Sequence, residues 1–299
     1  MTTTTTPTTP APAPGPAPAQ APAPVPDTGP RTSRRTATAG ELAEYRACAR
    51  TGLPPARDDA PSPVHPFVLA HTLAEHTVTA LTAHESGPVA VVHLGQEIRT
   101  TRPVRAGEPA TVDLTVLGAR REARGTRLAL RTRLSADGTV FAELLTSALL
   151  LGARTIEPFG DIPPAPVPGT TPGEPATTRR TLDAAAVHRY AHASGDLNPI
   201  HLDDQAARAA GFPGVIAHGM SLLALAAEEI ADRYADGDAT RISGLGARFA
   251  APVAPGTDLH LRLHPHDDAT VVRFTLTTDT GTAVKAGWAT LTPPREDAR

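Results

Sequence analysis

Short segments of this chain occur twice, in the same order and at a nearly constant spacing, and that duplication restricts the fold more than any other feature. Pro66-Phe67-Val68-Leu69-Ala70-His71 reads like Pro213-Gly214-Val215-Ile216-Ala217-His218, 147 residues further on. Pro103-Val104-Arg105-Ala106-Gly107 reads like Pro252-Val253-Ala254-Pro255-Gly256, 149 residues further on. Each half then closes with a strand, a turn containing glycine (Asp137-Gly138 and Asp279-Thr280-Gly281) and a second strand. Two similar folding units are therefore expected, which 299 residues accommodate.

Composition marks where the units begin and end. Residues 1–36 are a Thr run followed by alternating Ala-Pro, with almost nothing apolar to bury, so a solvated tail leaning to polyproline II is expected. A second Pro/Gly-rich stretch, residues 157–177, reads as the linker between a first unit of residues 37–156 and a second of residues 178–294. Hydrophobic residues make up 40 % of the chain, enough for a substantial core. No apolar run approaches the roughly 18–20 residues of a membrane helix, and the N-terminus lacks the basic and apolar regions of a secretory signal. Cys48 is the only cysteine, which excludes disulfides and thiolate metal clusters and fits a cytoplasmic location. A net charge of −3 gives no reason to expect nucleic acid or an anionic membrane as partner. Lys285 is the only lysine, so arginine clusters carry less weight here as anion sites than they usually do.

In the second unit, residues 182–193 read as a helix with Thr181 as N-cap, stopped by Ser194-Gly195-Asp196 and by Pro199. A short helix starts near Asp203, an N-cap residue type, and stops at Gly211. A longer one covers residues 220–234, with Leu223, Ala226, Ala227, Ile230 and Tyr234 forming an apolar stripe at helical spacing. Only strand signals follow: Val272, Phe274 and Leu276 alternate with polar residues, as do Val284, Ala286 and Trp288. One long apolar helix followed by an antiparallel meander predicts an α+β fold, a sheet wrapped around a central helix.

The segment from Tyr190 to His201 carries the chemistry. It places Asp196 and His201 five residues apart on a turn constrained by Gly195 and Pro199, so that carboxylate and imidazole can converge on one small volume. Such a pair can hold a water molecule, His201 accepting a proton and Asp196 orienting the water or exchanging a second proton. Asn198 can brace the turn through the backbone. Taken alone, this turn fits a capping role as well as a catalytic one. Downstream, Gly214-Val215-Ile216-Ala217-His218-Gly219-Met220 leads straight into the apolar helix. The first N–H groups of a helix lack partners and carry the positive end of its dipole, so the Gly219 N–H is a candidate oxyanion donor. His218 itself reads as a core histidine bonded to backbone.

The blocks Y-A-x-x-S-G-D-x-N-P-I-H (residues 190–201), A-G-F-x-x-x-I-A-H-G-M (residues 210–220) and R-F-x-x-P-V-x-P-G (residues 248–256) resemble the MaoC-like family of (R)-specific enoyl-CoA hydratases and 3-hydroxyacyl-thioester dehydratases. The resemblance covers residues 178–294 and implies a hot-dog fold with neither cofactor nor metal. It implies that Asp196 and His201 activate water and that the Gly219 N–H binds the thioester oxygen, with Asn198, Ser194, Tyr190 and His218 in support. The first unit resembles the degenerate hot dog of double-hot-dog members, because the stretch from Tyr45 to His65 holds no D-x-N-P-x-H. One active site is expected, formed by the second half and roofed by the first. Its partner is an acyl-CoA or acyl-carrier-protein thioester, and the fused pair either stands alone or pairs again as a homodimer. With an ordinary histidine pKa, activity falls below roughly pH 6.

Other patterns weigh less. His188 and His192 have metal-compatible spacing but no third ligand, and Gly219-Met220-Ser221 lacks the glycine of a nucleophile elbow. Gly244-Leu245-Gly246 opens no helix, so no dinucleotide site is expected. Arg120, Arg121, Arg124, Arg127, Arg131 and Arg133 read as a solvated strand face more than as a phosphate site. Two rival functions remain, a non-catalytic acyl-thioester binder and a hot-dog thioesterase.

Overall fold

The computed structural model describes residues 29–164, 168, 173–266 and 270–293. The first half runs β1 (Arg31–Arg35), α1 (Ala39–Ala49), α2 (His65–Leu81), β2 (Ala90–Thr100), β3 (Ala110–Glu122), β4 (Gly125–Ala136), β5 (Thr139–Leu151) and β6 (Phe159–Gly160). The second runs β7 (Ala176–Thr181), α3 (Ala184–Ser194), α4 (Asp204–Ala209), α5 (Gly219–Tyr234), β8 (Ile242–Phe249), β9 (Asp258–Pro265), β10 (Val271–Thr278) and β11 (Gly281–Leu291). The strands form a single antiparallel sheet in the order β1-β3-β4-β5-β2-β8-β11-β10-β9-β7, with β6 beside β3. Read from either end, each half follows the same path, and β2 meets β8 at the seam, where Glu97 pairs with Gly246. The expected sheet around a central helix is thus present twice, α2 and α5 being the two helices.

The duplication reaches further than the sequence suggested. Residues 31–35, assigned to the tail, form β1, which pairs with β3 as β7 pairs with β9. No apolar side chain marks Arg-Thr-Ser-Arg-Arg as a strand; it is a polar edge paired to its neighbour β3. Residues 1–28 of the expected tail and 165–167 and 169–172 of the expected linker lie outside the described residues. The linker's ends are structured, as β6 and as the start of β7. After β1, Thr38 and Glu41 form a reciprocal capping box that starts α1. After β7, Asp183, not Thr181, caps α3, because the Thr181 hydroxyl is engaged by Asp258. In both halves the turn glycine (Gly107, Gly256) donates to the residue before that cap, Ala37 or Leu182. Tyr45 of α1 and Tyr190 of α3, 145 residues apart, meet hydroxyl to hydroxyl at 2.9 Å.

One sequence repeat does not survive. His218 is the N-cap of α5, but His71 lies well inside α2, which starts at His65. The likeness of residues 66–71 to residues 213–218 therefore does not mark equivalent positions.

The expected stripe on α5 understates its burial, for every residue from 220 to 231 is buried. A helix apolar all round belongs in a core. Two glutamates go in with it, and Glu228 is held by Arg46 Nε at 3.2 Å and Arg50 Nη1 at 2.9 Å, both from α1. Gly244 and Gly246 sit in β8 beneath Trp288, whose indole leaves no room for a Cβ at residue 246. Packing accounts for both glycines.

Candidate active site

Helix α3 stops because Gly195 takes the left-handed conformation (φ 74°), which turns the chain toward the seam. Ser194 Oγ receives the Asp196 N–H at 3.2 Å, and Asp196 Oδ1 receives the Asn198 N–H at 3.3 Å. Asn198 holds the turn from two sides. Its Oδ1 accepts from the Ile200 N–H at 3.4 Å, and its Nδ2 donates to the Val91 carbonyl of β2 at 3.1 Å, so the turn is tied to the other half. A 3-10 turn, Pro199–His201, then brings His201 back toward Asp196.

His201 is buried, with its Nδ1 2.8 Å from the Ile216 carbonyl. A carbonyl only accepts, so Nδ1 carries the proton, and in the neutral ring Nε2 presents a lone pair. His218 Nε2 likewise donates to the Asp196 carbonyl at 3.0 Å, and its ring stacks on that of His201 at 3.7 Å. The reading of His218 as a buried histidine bonded to backbone fits this placement. Tyr190 packs against His218 with ring centres 5.0 Å apart.

Burial pushes the pKa of His201 down, against the pull of Asp196 and the Ile216 bond, and pushes His218 down to about 4. Burial opposes ionisation of Asp196, but the charges that His71, His218 and His201 carry when protonated, with the Asn198 N–H, outweigh it and hold its pKa below the ordinary value. The resting state is therefore a carboxylate beside neutral imidazoles.

Helix α5 begins at Gly219, and the Gly219 and Met220 N–H groups precede any carbonyl that could accept them within the helix. A Cβ on Gly219 would stand 2.8 Å from Phe249 Cγ, which fixes glycine there on packing grounds. Gly219→Ala is expected to cost about 1–3 kcal/mol of stability through overpacking. Urea unfolding measures it, and an unchanged midpoint would mean that Phe249 moves aside freely.

These groups line a cavity of about 510 Å³ built from both halves. The first half supplies the apolar wall of Phe67, Ala74 and Val78 from α2 and Val91 from β2. It also supplies groups that motif spacing does not announce. His71 stands 3.8 Å from Asp196 Oδ1, and His93 lies between Phe67 and Phe249 with its pKa pushed by burial to about 4. The available signal was a histidine inside an otherwise apolar run.

Asp196, His201 and His218 offer ligand-type atoms within 4.8 Å of one another. Both rings already spend one nitrogen on a carbonyl. His188 and His192 are exposed on the outer face of α3. Arg120, Arg121, Arg127 and Arg133 stand beside Glu122, Glu157, Glu122 and Glu143, while Arg124 lines the cavity. Among the described residues, no helix is long and apolar enough to cross a membrane.

A family model described as MaoC like domain matches residues 167–286. The chain is 31 % identical over 189 residues to 3-hydroxyacyl-thioester dehydratase X of Mycobacterium tuberculosis, which covers 63 % of this chain and 64 % of that protein. It is 33 % identical over 129 residues to peroxisomal multifunctional enzyme type 2 of Drosophila melanogaster, covering 43 % of this chain and 21 % of that protein. The chain thus spans less than two thirds of the length of the curated relatives it matches. A solved MaoC-like dehydratase from Phytophthora capsici has a TM-score of 0.72 at 19 % identity, over 91 % of this chain and 98 % of that one. A Mycobacterium tuberculosis protein described as a double hotdog has a TM-score of 0.57 at 16 % identity, over 87 % of this chain and 94 % of that one. Those structures show the fold, a double hot dog, and the family model shows that residues 167–286 are similar to the MaoC like domain.

Proposed function

We propose that this chain catalyses the reversible addition of water across the 2,3-double bond of a trans-2-enoyl thioester, giving an (R)-3-hydroxyacyl thioester, or the reverse dehydration. One observation carries the reading: a carboxylate and a neutral imidazole with a free Nε2 share a cavity with the N-terminal N–H groups of α5. His201 Nε2 takes a proton from water as its oxygen bonds to C3, while Asp196 orients the water and stabilises the imidazolium. Electron density moves to the thioester oxygen, where the Gly219 N–H receives it. The proton on His201 returns to C2 on the same face, which leaves the enzyme unchanged. The apolar wall from the first half suits the acyl chain, and Arg124 supplies a cation for the phosphates of coenzyme A or of a carrier protein's prosthetic arm. Because the β2–β8 seam joins two hot dogs within one chain, the reading needs no second subunit to complete the site. The lone cysteine supports a reducing compartment such as the cytoplasm.

Incubation with enoyl-CoA and enoyl carrier-protein thioesters, followed by mass spectrometry, tests the reading. Gain of one water on an intact thioester supports it. Release of free thiol would make the protein a thioesterase, and binding without change would make it an accessory protein.

The pH profile gives a second test and revises the ordinary expectation. The competent form of His201 is neutral, and its pKa is lowered from 6.5, mainly by burial, so the base stays competent to lower pH than an ordinary histidine. Asp196, lowered as well, stays ionised over that range. The acid limb of kcat/KM is expected below pH 6.5, and a limb at or above that value would contradict the burial argument.

A further inference from the structure

We propose that His71, on the central helix of the half without the motif, is a positioning residue for Asp196, so that both halves build the reactive centre. The catalytic consequence rests on the hydratase reading; the contact rests on geometry alone. His71 Nε2 lies 3.8 Å from Asp196 Oδ1, with each side chain 17 % exposed. The cavity face of α2 carries the apolar Phe67, Ala74 and Val78 with the polar His71, Glu75 and Thr79, and His71 reaches Asp196. An imidazole in an apolar wall is unfavourable without a polar partner, and the carboxylate across the cavity is such a partner. Its ring also packs on Phe67, with centres 5.6 Å apart, which steadies its direction.

The Asp196 turn is fastened to the first half at two points. Asn198 Nδ2 bonds the Val91 carbonyl of β2, and His71 approaches from α2, so the distance to Asp196 is set by the docked halves and not by a mobile loop. The Asn198 N–H and His71 both fall on Oδ1. The charged and titratable groups around His71 are Glu75 one turn on in α2, His93 from β2, and Asp196, His201 and His218 from the second half. A protonated His71 facing Oδ1 opposes the effect of burial on Asp196. Removing it moves the carboxylate toward its protonated form.

The test compares the full chain with His71→Gln, which keeps volume and polarity, and with His71→Ala. Carbon-13 NMR follows the Asp196 carboxylate, assigned by its disappearance in Asp196→Asn. The expected result is a rise of the Asp196 titration midpoint in both variants. With it come an about tenfold lower kcat, a KM within about twofold of wild type, and an acid limb of kcat moved to higher pH, because a protonated His71 also holds down the pKa of His201. An unmoved Asp196 midpoint overturns the proposal, as does a change in KM alone, which would make His71 part of the acyl wall and nothing more. A wild-type protein inactive on every enoyl thioester would overturn the hydratase reading instead, and the NMR comparison would still decide whether His71 governs Asp196.

Discussion

On the proposed hydratase reading, Asp196→Asn and His201→Gln are each expected to lower kcat/KM for enoyl-thioester hydration by roughly 10²–10⁴, the range for loss of positioned acid–base chemistry. Both substitutions preserve local structure, which makes the loss interpretable. Asparagine at 196 keeps an oxygen for the Asn198 N–H that now reaches Oδ1 at 3.3 Å, but it carries no charge to orient water or to stabilise an imidazolium. Glutamine at 201 can still donate to the Ile216 carbonyl, as Nδ1 does at 2.8 Å, but it offers no basic nitrogen. Because the proposed mechanism has the two residues act on one water, the double variant is expected to be little worse than either single one. Hydration assays on folded variants check this. Activity within about twofold of wild type in either variant would remove that residue from the reacting centre.

Glu228→Ala is expected to cost about 3–5 kcal/mol of folding stability, the usual result of stripping a buried ion pair of one partner. Glu228 is fully buried in α5, and its Oε2 accepts from Arg46 Nε at 3.2 Å and from Arg50 Nη1 at 2.9 Å. Arg50 also reaches Asp232 at 2.7 Å, and Arg46 pairs with Asp58, so neither arginine is left wholly without a counter-charge. Both stay buried, however, and cannot turn to water. Glu228→Gln, which retains an acceptor, is expected to cost less. Calorimetry reads the alanine variant as a fall in Tm on the order of 10 °C. A fall of about 1 °C would mean that Arg46 and Arg50 are satisfied without Glu228.

The residues around Asp196 and His201 were legible because their constraints are local. Gly195 must turn a helix end, Asn198 and Pro199 must shape a tight turn, and Gly219 must open a helix, so residue type reports position directly. Helix α5 was legible from its apolar spacing. β1 and α1 were not, because Arg-Thr-Ser-Arg-Arg has no apolar face and Arg46 and Arg50 look like solvated helix positions. Only tertiary contact with β3 and Glu228 makes them structural. His71 was hidden for a related reason. Its partner is 125 residues away across the seam, and its sequence likeness to His218 pointed to the wrong equivalence.

The seam between β2 and β8 also sets the order in which a newly made chain gains its chemistry. Hairpins such as β4–β5 close over two residues, Asp137 and Gly138, whereas the seam pairs Gln96 with Ala247 across about 150 residues. Loop-closure entropy grows with the enclosed length, and long-range ladders form late. Each hot dog can therefore collapse around its own helix before the two zip together. The bonds that place Asp196 opposite α2 and tie Asn198 to β2 arise only at that last stage. By the same argument, the first half is expected to fold as a scaffold during synthesis before the strand pairing that brings Asp196 opposite α2.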